Sequence, residues 1–200
     1  MLINMSVKIK KQLKQKRHAL HSLSAPENLS YELNILRTFL CKCFVFVDYD
    51  EAGKVAVAKA IENKLIEENQ VKNAIVNGLK FSEIEDCIKN EIYSEEIKNK
   101  YNVDLNVHEF RKDKNKWSKK VKKVFRDKGQ DWNEAIEKGA KSIVTDCVKK
   151  NKENSLDDNR RSSIDTLVKA LEDFKGDGCE VESDPKTHLV DSPSIGGSYA

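Results

Sequence analysis

The sequence predicts an α/β fold in which a parallel β-sheet is covered by helices. Residues 43–47, CFVFV, form a continuous apolar run, which is typical of a strand that is buried on both faces. A helical pattern follows over 51–67, and a second short run with strand-like composition covers 71–76. Strand, helix and strand in this order favour parallel strands with helical cover.

Spacing and chain breakers predict the other elements. Ser30 is a candidate N-cap for a helix over 31–40, whose leucines keep helical spacing. Residues 104–110, DLNVHEF, are predicted to form a further strand, and the sequence beyond 176 is predicted to be disordered because it has little apolar content. The remaining segments with a helical pattern are 7–20, 81–88, 93–101, 117–126, 132–149 and 162–174.

Composition suits one domain with appendages, since 38% of the 200 residues are apolar and 34% are charged. The sequence has no apolar run of about 18 residues, so no membrane-spanning segment is expected. Its first residues lack the apolar stretch and the cleavage site of a signal peptide. The five cysteines show no metal-binding spacing, and we expect a reduced protein in the cytoplasm.

Positive charge is concentrated in two segments. Residues 1–26 carry six Lys or Arg and no acidic residue, and 111–128 carry ten Lys or Arg against two aspartates. Nucleic-acid phosphates are a common partner for such segments, although a solvated lysine-rich helix face has the same composition. The candidates for nucleic-acid contact in the second segment are Lys119, Lys120, Lys122 and Lys123.

Asp48 and Asp50 lie where the first predicted strand ends and the helix begins. Residues two apart in an extended chain project to the same side, and ligands of open α/β sheets collect beyond the carboxyl ends of the strands. A pair of carboxylates in such a place suits Mg²⁺. On spacing alone a second interpretation stands equally, in which Asp50 caps the helix and Asp48 is a solvated strand end.

The run FVFVDYDEAGK (44–54) resembles the aspartate motif of the Toprim domain, in which an apolar strand ends in two aspartates and leads into a helix. Together with three other stretches it resembles the C-terminal Toprim region of the OLD family (overcoming lysogenization defect) of ATP-dependent endonucleases. These stretches are NLSYELNILRTFL (28–40), NGLKFSEIEDCIKNEIY (77–93) and KDKNKWSKK (112–120). The resemblance covers about residues 27–149.

The resemblance implies a Toprim-like, Rossmann-like parallel sheet and a metal-dependent DNA endonuclease. Asp48 and Asp50 would bind Mg²⁺ or Mn²⁺, and Glu85 with Glu83 would add the further carboxylates of a two-metal nuclease site. Lys116 matches a family lysine that stabilises charge developing on the scissile phosphate, so that Lys116 and Glu85 would act in catalysis. Without the resemblance, the glutamates are an acidic first helical turn and Lys116 is one of ten basic residues in its segment.

The sequence departs from the family pattern in two ways. That pattern begins with a strand that ends in a glutamate, the general acid or base, whereas residues 1–26 offer no strand-like run and no acid. Glu27 and Glu32 flank or lie within the helix before the first strand. A P-loop is also missing from the sequence, so we expect a C-terminal piece whose partner is an ATPase domain or subunit encoded upstream. Without that first strand, one edge of the sheet would have no neighbouring strand, which would also favour homo-oligomers.

This interpretation divides the chain into a basic segment at 1–26, a partial Toprim domain at 27–110, a basic and helical region at 111–175 and a disordered tail at 176–200. Two alternatives remain open. The first is a non-catalytic remnant that binds DNA or a partner chain through its basic segments. The second is a haloacid-dehalogenase-type phosphatase, which also ends a strand in two aspartates but usually continues with Gly and then Thr or Val, where this chain has Glu51 and Ala52.

Overall fold

A parallel pair of strands and seven α-helices form the part of the chain that the structure, a computed structural model, describes: residues 21–23 and 25–173. The predicted α/β class is therefore confirmed, while the predicted helix at 7–20 and the tail beyond 176 lie outside the described residues. The elements are α1 (Leu29–Thr38), β1 (Val45–Asp48), α2 (Glu51–Glu62), β2 (Val71–Ala74), α3 (Ser94–Tyr101), α4 (His108–Lys112), α5 (Trp117–Asp127), α6 (Glu134–Asn151) and α7 (Ser162–Asp173). None of the helices in the described ranges is apolar and long enough to cross a membrane.

The two strands run parallel and end at the same edge of the sheet. Their register pairs Val45 with Val71 and Asp48 with Ala74, and α2 connects them. Beyond β1, the backbone of Tyr49 exchanges hydrogen bonds of 2.9 and 3.0 Å with Ser82. This antiparallel bridge lays the segment after residue 82 against the carboxyl end of β1.

The start of α2 lies very close to the end of β1. A Cβ atom at Gly53 would stand 2.6 Å from the carbonyl oxygen of Asp48, so the first helical turn can approach the strand only with glycine at this position. The helix ends at Glu62 rather than at the predicted residue 67. Lys64 adopts a left-handed conformation (φ 56°), and the amide of Leu65 donates to the carbonyl of Ala60 at 3.0 Å, which closes the last turn.

Most buried apolar side chains belong to a core between α3, α5 and α6, against which Phe46 of β1 also packs. Trp117 and Phe125 of α5 are each 1% exposed. The indole N–H of Trp117 donates to the hydroxyl of Tyr93 at 3.0 Å, so the buried polar atoms are paired. A smaller core packs α1 and α2 on the strands and includes Leu33 and Ala60. The N-terminus of α5 is thereby fixed close to the sheet edge.

The predicted strand at 104–110 is wrong. Val103 and Leu105 are buried two positions apart, and this spacing imitates a strand. The amide of Asn106 instead donates to the side chain of Asp104 at 2.8 Å, which turns the chain, and α4 begins at residue 108. The short helix predicted at 81–88 is a single 3₁₀ turn, Ile84–Cys87.

Candidate functional site

Four carboxylates and two lysine ammonium groups from separate parts of the chain meet beyond the carboxyl end of β1. We call this group the carboxylate cluster. Two of the acids lie at the end of β1 and the start of α2, two come from the segment after β2, and the lysines come from the N-terminus of α5 and from α6. Its members are Asp48, Asp50, Glu83, Glu85, Lys116 and Lys141.

Asp48 ends β1, and its side chain is partly buried. Its Oδ1 accepts a hydrogen bond of 3.0 Å from the backbone amide of Ile84, which fixes the 83–85 segment against the strand end. Burial raises the pKa of Asp48, and the positive charge of Lys141 only partly offsets this effect. Asp48 is therefore not the solvated strand end of the second interpretation.

Asp50 has two roles at once. Its Oδ1 accepts from the amide of Gly53 at 2.9 Å and caps α2, so the capping interpretation is confirmed. Its Oδ2 lies 2.7 Å from Nζ of Lys116, which joins the helix start to α5. Burial raises the pKa of Asp50, but the hydrogen bonds from Lys116 and Gly53 outweigh burial and hold this pKa below its usual value.

Glu83 is 3% exposed, and protein donors occupy both of its oxygens. Its Oε2 accepts from the backbone amide of Ser118 at 2.8 Å, and its Oε1 accepts from the hydroxyl of Ser118 at 2.9 Å and lies 2.9 Å from Nζ of Lys116. Burial raises the pKa of Glu83, but Lys141 and Lys116 outweigh burial and lower it. These contacts make Glu83 an anchor for the start of α5.

Glu85 differs from the other acids of the cluster because its Oε2 is buried and has no hydrogen-bond partner. The residue as a whole is only 8% exposed. The nearest cation is Nζ of Lys141, at 3.7 Å. Burial, reinforced by the negative charges of Asp48 and Glu83, raises the pKa of Glu85 to about 7 against the opposing effect of Lys141. A buried oxygen without a partner is costly unless a ligand meets it.

Lys116 bridges two acids of the cluster. Its Nζ lies 2.7 Å from Asp50 and 2.9 Å from Glu83. Burial lowers the pKa of Lys116, but the hydrogen bonds to the two carboxylates outweigh burial and raise the pKa above its ordinary value. The group therefore stays charged at neutral pH and offers a fixed positive charge at the mouth of the cluster.

Asp86 lies behind the cluster and forms a buried ion pair with Lys120. The two side chains are 0% and 4% exposed. The second carboxylate oxygen of Asp86 accepts from the backbone amides of Glu83, at 3.0 Å, and Trp117, at 2.9 Å. The prediction that Lys120 contacts nucleic acid is thereby corrected, because its amine is enclosed and already paired.

The other predicted nucleic-acid contacts lie on the outer face of α5. Lys119 and Lys123 are exposed and Lys122 is partly exposed. Together with Arg126 they line a shallow surface groove of about 200 Å³. A row of cations along one helix face suits the phosphate backbone of a nucleic acid.

The chemistry and the charge of the cluster fit a divalent cation, whereas the present spacing does not. Four carboxyl groups stand against two ammonium groups, so with all four acids ionised, as metal binding requires, the excess of two negative charges equals the charge of Mg²⁺ or Mn²⁺. Carboxylate oxygens are the ligands that such ions prefer, and Glu85 offers an oxygen without a partner. As the described side chains stand, however, no three His, Cys, Asp or Glu residues could hold one ion. The carboxylate side chains would have to move closer together for an ion to bind.

Sequence reasoning missed Lys141 and Ser118. Ser118 follows directly on the KW pair of the quoted motif, so its place at the helix start was a usable signal. Lys141 precedes Val144 by three residues and Val148 by seven, so a helical wheel places it beside the buried face of α6, unlike the exposed Lys138. The acids that it meets come from other elements, and only the packing of α6 against the cluster identifies them.

Comparisons with protein-family models, with curated proteins and with solved structures found no match. The function is therefore inferred from the carboxylate cluster, from the basic face of α5 and from the motifs of the sequence.

Proposed function

We propose that the protein is the Toprim-like nuclease part of an OLD-like ATP-dependent endonuclease, which hydrolyses DNA phosphodiester bonds with Mg²⁺ or Mn²⁺. The observation that supports this function is the convergence of Asp48, Asp50, Glu85 and Lys116 at one sheet edge. Asp50 and Lys116 are 66 residues apart in sequence, and the motif resemblance had named both. Chance clustering of these residues is a poor explanation, because they come from three segments that are well separated in sequence.

Each member of the cluster then has a role. Asp48, Asp50 and Glu85 would hold the metal, which when bound supplies Lewis-acid stabilisation and a water of lowered pKa. Lys116 would place its ammonium group against the scissile phosphate, where negative charge develops. Glu83 orients Lys116 and the start of α5 through its contacts with Ser118.

We expect Mn²⁺ binding that depends on the aspartate pair. In isothermal titration the wild-type chain should bind Mn²⁺, and the double substitution Asp48→Asn and Asp50→Asn should abolish binding because it removes two charges from the ligand set. Glu51→Gln is the matched control, since this exposed acid follows Asp50 directly and lies outside the cluster. Binding that is unchanged in the double variant would remove the metal site from the proposal.

A second candidate function is a non-catalytic remnant that binds DNA or a partner chain. The observation that favours it is the position of Lys116, whose amine fills the space between Asp50 and Glu83. Lys116 thus offsets part of the negative charge of these acids, so that they can lie together without an ion. DNA binding through α5 without metal-dependent cleavage would be the expected behaviour of such a remnant.

Both candidates predict salt-dependent DNA binding through the outer face of α5. Phosphate contacts release counterions, so the affinity should fall steeply with salt and vary little with DNA sequence. Each phosphate contact adds about 0.9 to the slope of log affinity against log salt. Replacing Lys119, Lys122 and Lys123 with Gln should therefore flatten the slope by about two to three.

The control removes the same charge elsewhere. Lys59, Lys149 and Lys150 are exposed lysines of α2 and α6, and their replacement with Gln keeps the net charge equal to that of the α5 variant. Fluorescence anisotropy with labelled duplexes over a series of salt concentrations measures both slopes. If the two triple variants lose slope equally, α5 is only a solvated face and binding follows net charge.

A further inference from the structure

Lys141 has no role in the proposed hydrolysis, yet it reaches deeper into the acids than any other residue of α6. Its Nζ lies 3.5 Å from Oε1 of Glu83 and 3.7 Å from Oε2 of Glu85. Its charge also acts on the carboxylates of Asp48 and Asp50. The charge of one ammonium group therefore acts on all four acids of the cluster.

The contacts of Lys141 are ion pairs without hydrogen bonds to these acids. Separations of 3.5 and 3.7 Å to the carboxylate oxygens exceed the usual range for an N–H···O bond, and Oε2 of Glu85 stays without a donor. Lys116 by contrast is held at 2.7 and 2.9 Å by Asp50 and Glu83. Of the two ammonium groups, that of Lys141 is thus the easier to displace.

The backbone beside Lys141 is fixed while its side chain can reach solvent. Ala140 and Val144 are 0% and 3% exposed and pack α6 into the main core. The side chain of Lys141 is 29% exposed, so its long stem can carry the amine outward without any change in the helix.

We propose that Lys141 is a built-in counter-ion that occupies the cation position beside Glu85, and that a divalent metal must displace its ammonium group in order to bind there. The inference rests on the proposed metal site. It explains how the cluster keeps its carboxylates together without an ion. The displaced amine remains at the rim of the site as a positive charge for a substrate phosphate.

The test compares Mn²⁺ affinity in variants of Lys141. A cation and a divalent ion a few ångströms apart repel each other strongly in a partly buried site, so Lys141→Met should bind Mn²⁺ at least about tenfold more tightly than wild type. Lys141→Arg keeps the charge and should bind like wild type. Lys138→Met, on the same helix with a side chain 77% exposed, should also leave the affinity unchanged.

Thermal melting gives a second readout. Without metal, Lys141→Met should melt below Lys138→Met, because Glu85 then lacks its counter-charge and Glu83 keeps only that of Lys116. Saturating Mn²⁺ should raise the melting temperature more in Lys141→Met than in wild type. Lys141→Gln carries the same expectations and serves if the methionine variant does not fold.

The outcomes separate this inference from the proposed function. Mn²⁺ binding by wild type together with unchanged or weaker binding by folded Lys141→Met or Lys141→Gln would overturn the counter-ion role and leave the metal site standing. A lack of Mn²⁺ binding in wild type and in every variant would overturn both. Tighter binding in Lys141→Arg as well would show that the shape of the lysine, and not its charge, limits access.

Discussion

Asp86→Ala is expected to lower the free energy of unfolding by about 3–5 kcal/mol, because it breaks a buried ion pair and leaves one charge unpaired. Asp86 is fully enclosed, and the amine of Lys120 that would lose its partner is 4% exposed. Two backbone amides, of Glu83 and Trp117, would lose their acceptor as well. An unpaired buried donor adds its own desolvation cost.

Urea denaturation with a two-state fit measures this change. Lys120→Met should be destabilising for the same reason, since Asp86 would remain buried with only its backbone donors. The double variant Asp86→Leu with Lys120→Met should cost less than the sum of the single changes, because no charge is then left inside. Glu134→Ala, which breaks an exposed pair with Lys138, is the control and should give no measurable change. A loss for Asp86→Ala no larger than that for the control would contradict the prediction.

The same pair has a consequence for the candidate site. One oxygen of Asp86 accepts from the amides of Glu83 and Trp117. Glu83 belongs to the cluster, and Trp117 follows directly on Lys116. The buried pair therefore links the segment after β2 to the start of α5. This tie brings Glu83 within 2.9 Å of a lysine that lies 33 residues away in sequence. Fold stability and site geometry depend on one contact here.

Local patterns predicted the sheet edge well. The apolar run before Asp48 and the capping aspartate belong to one short stretch, so their geometry follows from neighbouring residues. The strand predicted at 104–110 is wrong because its apolar residues are buried by tertiary packing, Leu105 in a turn and Phe110 in a short helix. A strand also needs a neighbour to pair with, which a single segment cannot reveal.

Lys120 illustrates what could have been predicted but was not. It follows Trp117 by three residues and precedes Val124 by four, which places it on the apolar face of α5, whereas Lys119 and Lys123 lie on the other side. A helical wheel separates these groups from sequence alone. The partner of Lys120 could not be found in this way, because Asp86 comes from another element and only the tertiary fold brings it near.

Purified as the 200-residue chain, the protein is expected to nick supercoiled plasmid poorly or not at all in Mn²⁺. A two-metal hydrolytic site needs several carboxylates and a group that moves protons, and the resemblance implies a glutamate at the end of an earlier strand. Residues 1–26 contain no acid. Glu27 is exposed in the 3₁₀ helix Pro26–Asn28, and Glu32 of α1 pairs with His21 at 3.1 Å, so neither lies in the cluster.

The edge of the two-stranded sheet suggests how the proposed nicking activity would be restored. Among the described residues β2 is the only strand that pairs with β1, so no described strand pairs with the other edge of either one. A polypeptide that supplies a strand ending in glutamate should therefore stimulate nicking, and self-association of the chain alone should be visible by light scattering. In the nicking assays with and without the added polypeptide, Asp48→Ala is the control for contaminating nuclease. A variant of the added polypeptide with Gln in place of its glutamate tests the proton-moving group. Robust cleavage by the chain alone that disappears in Asp48→Ala would mean that the cluster is already complete. Glu85 would then take the place of the expected glutamate, because its pKa of about 7 suits proton transfer near neutral pH.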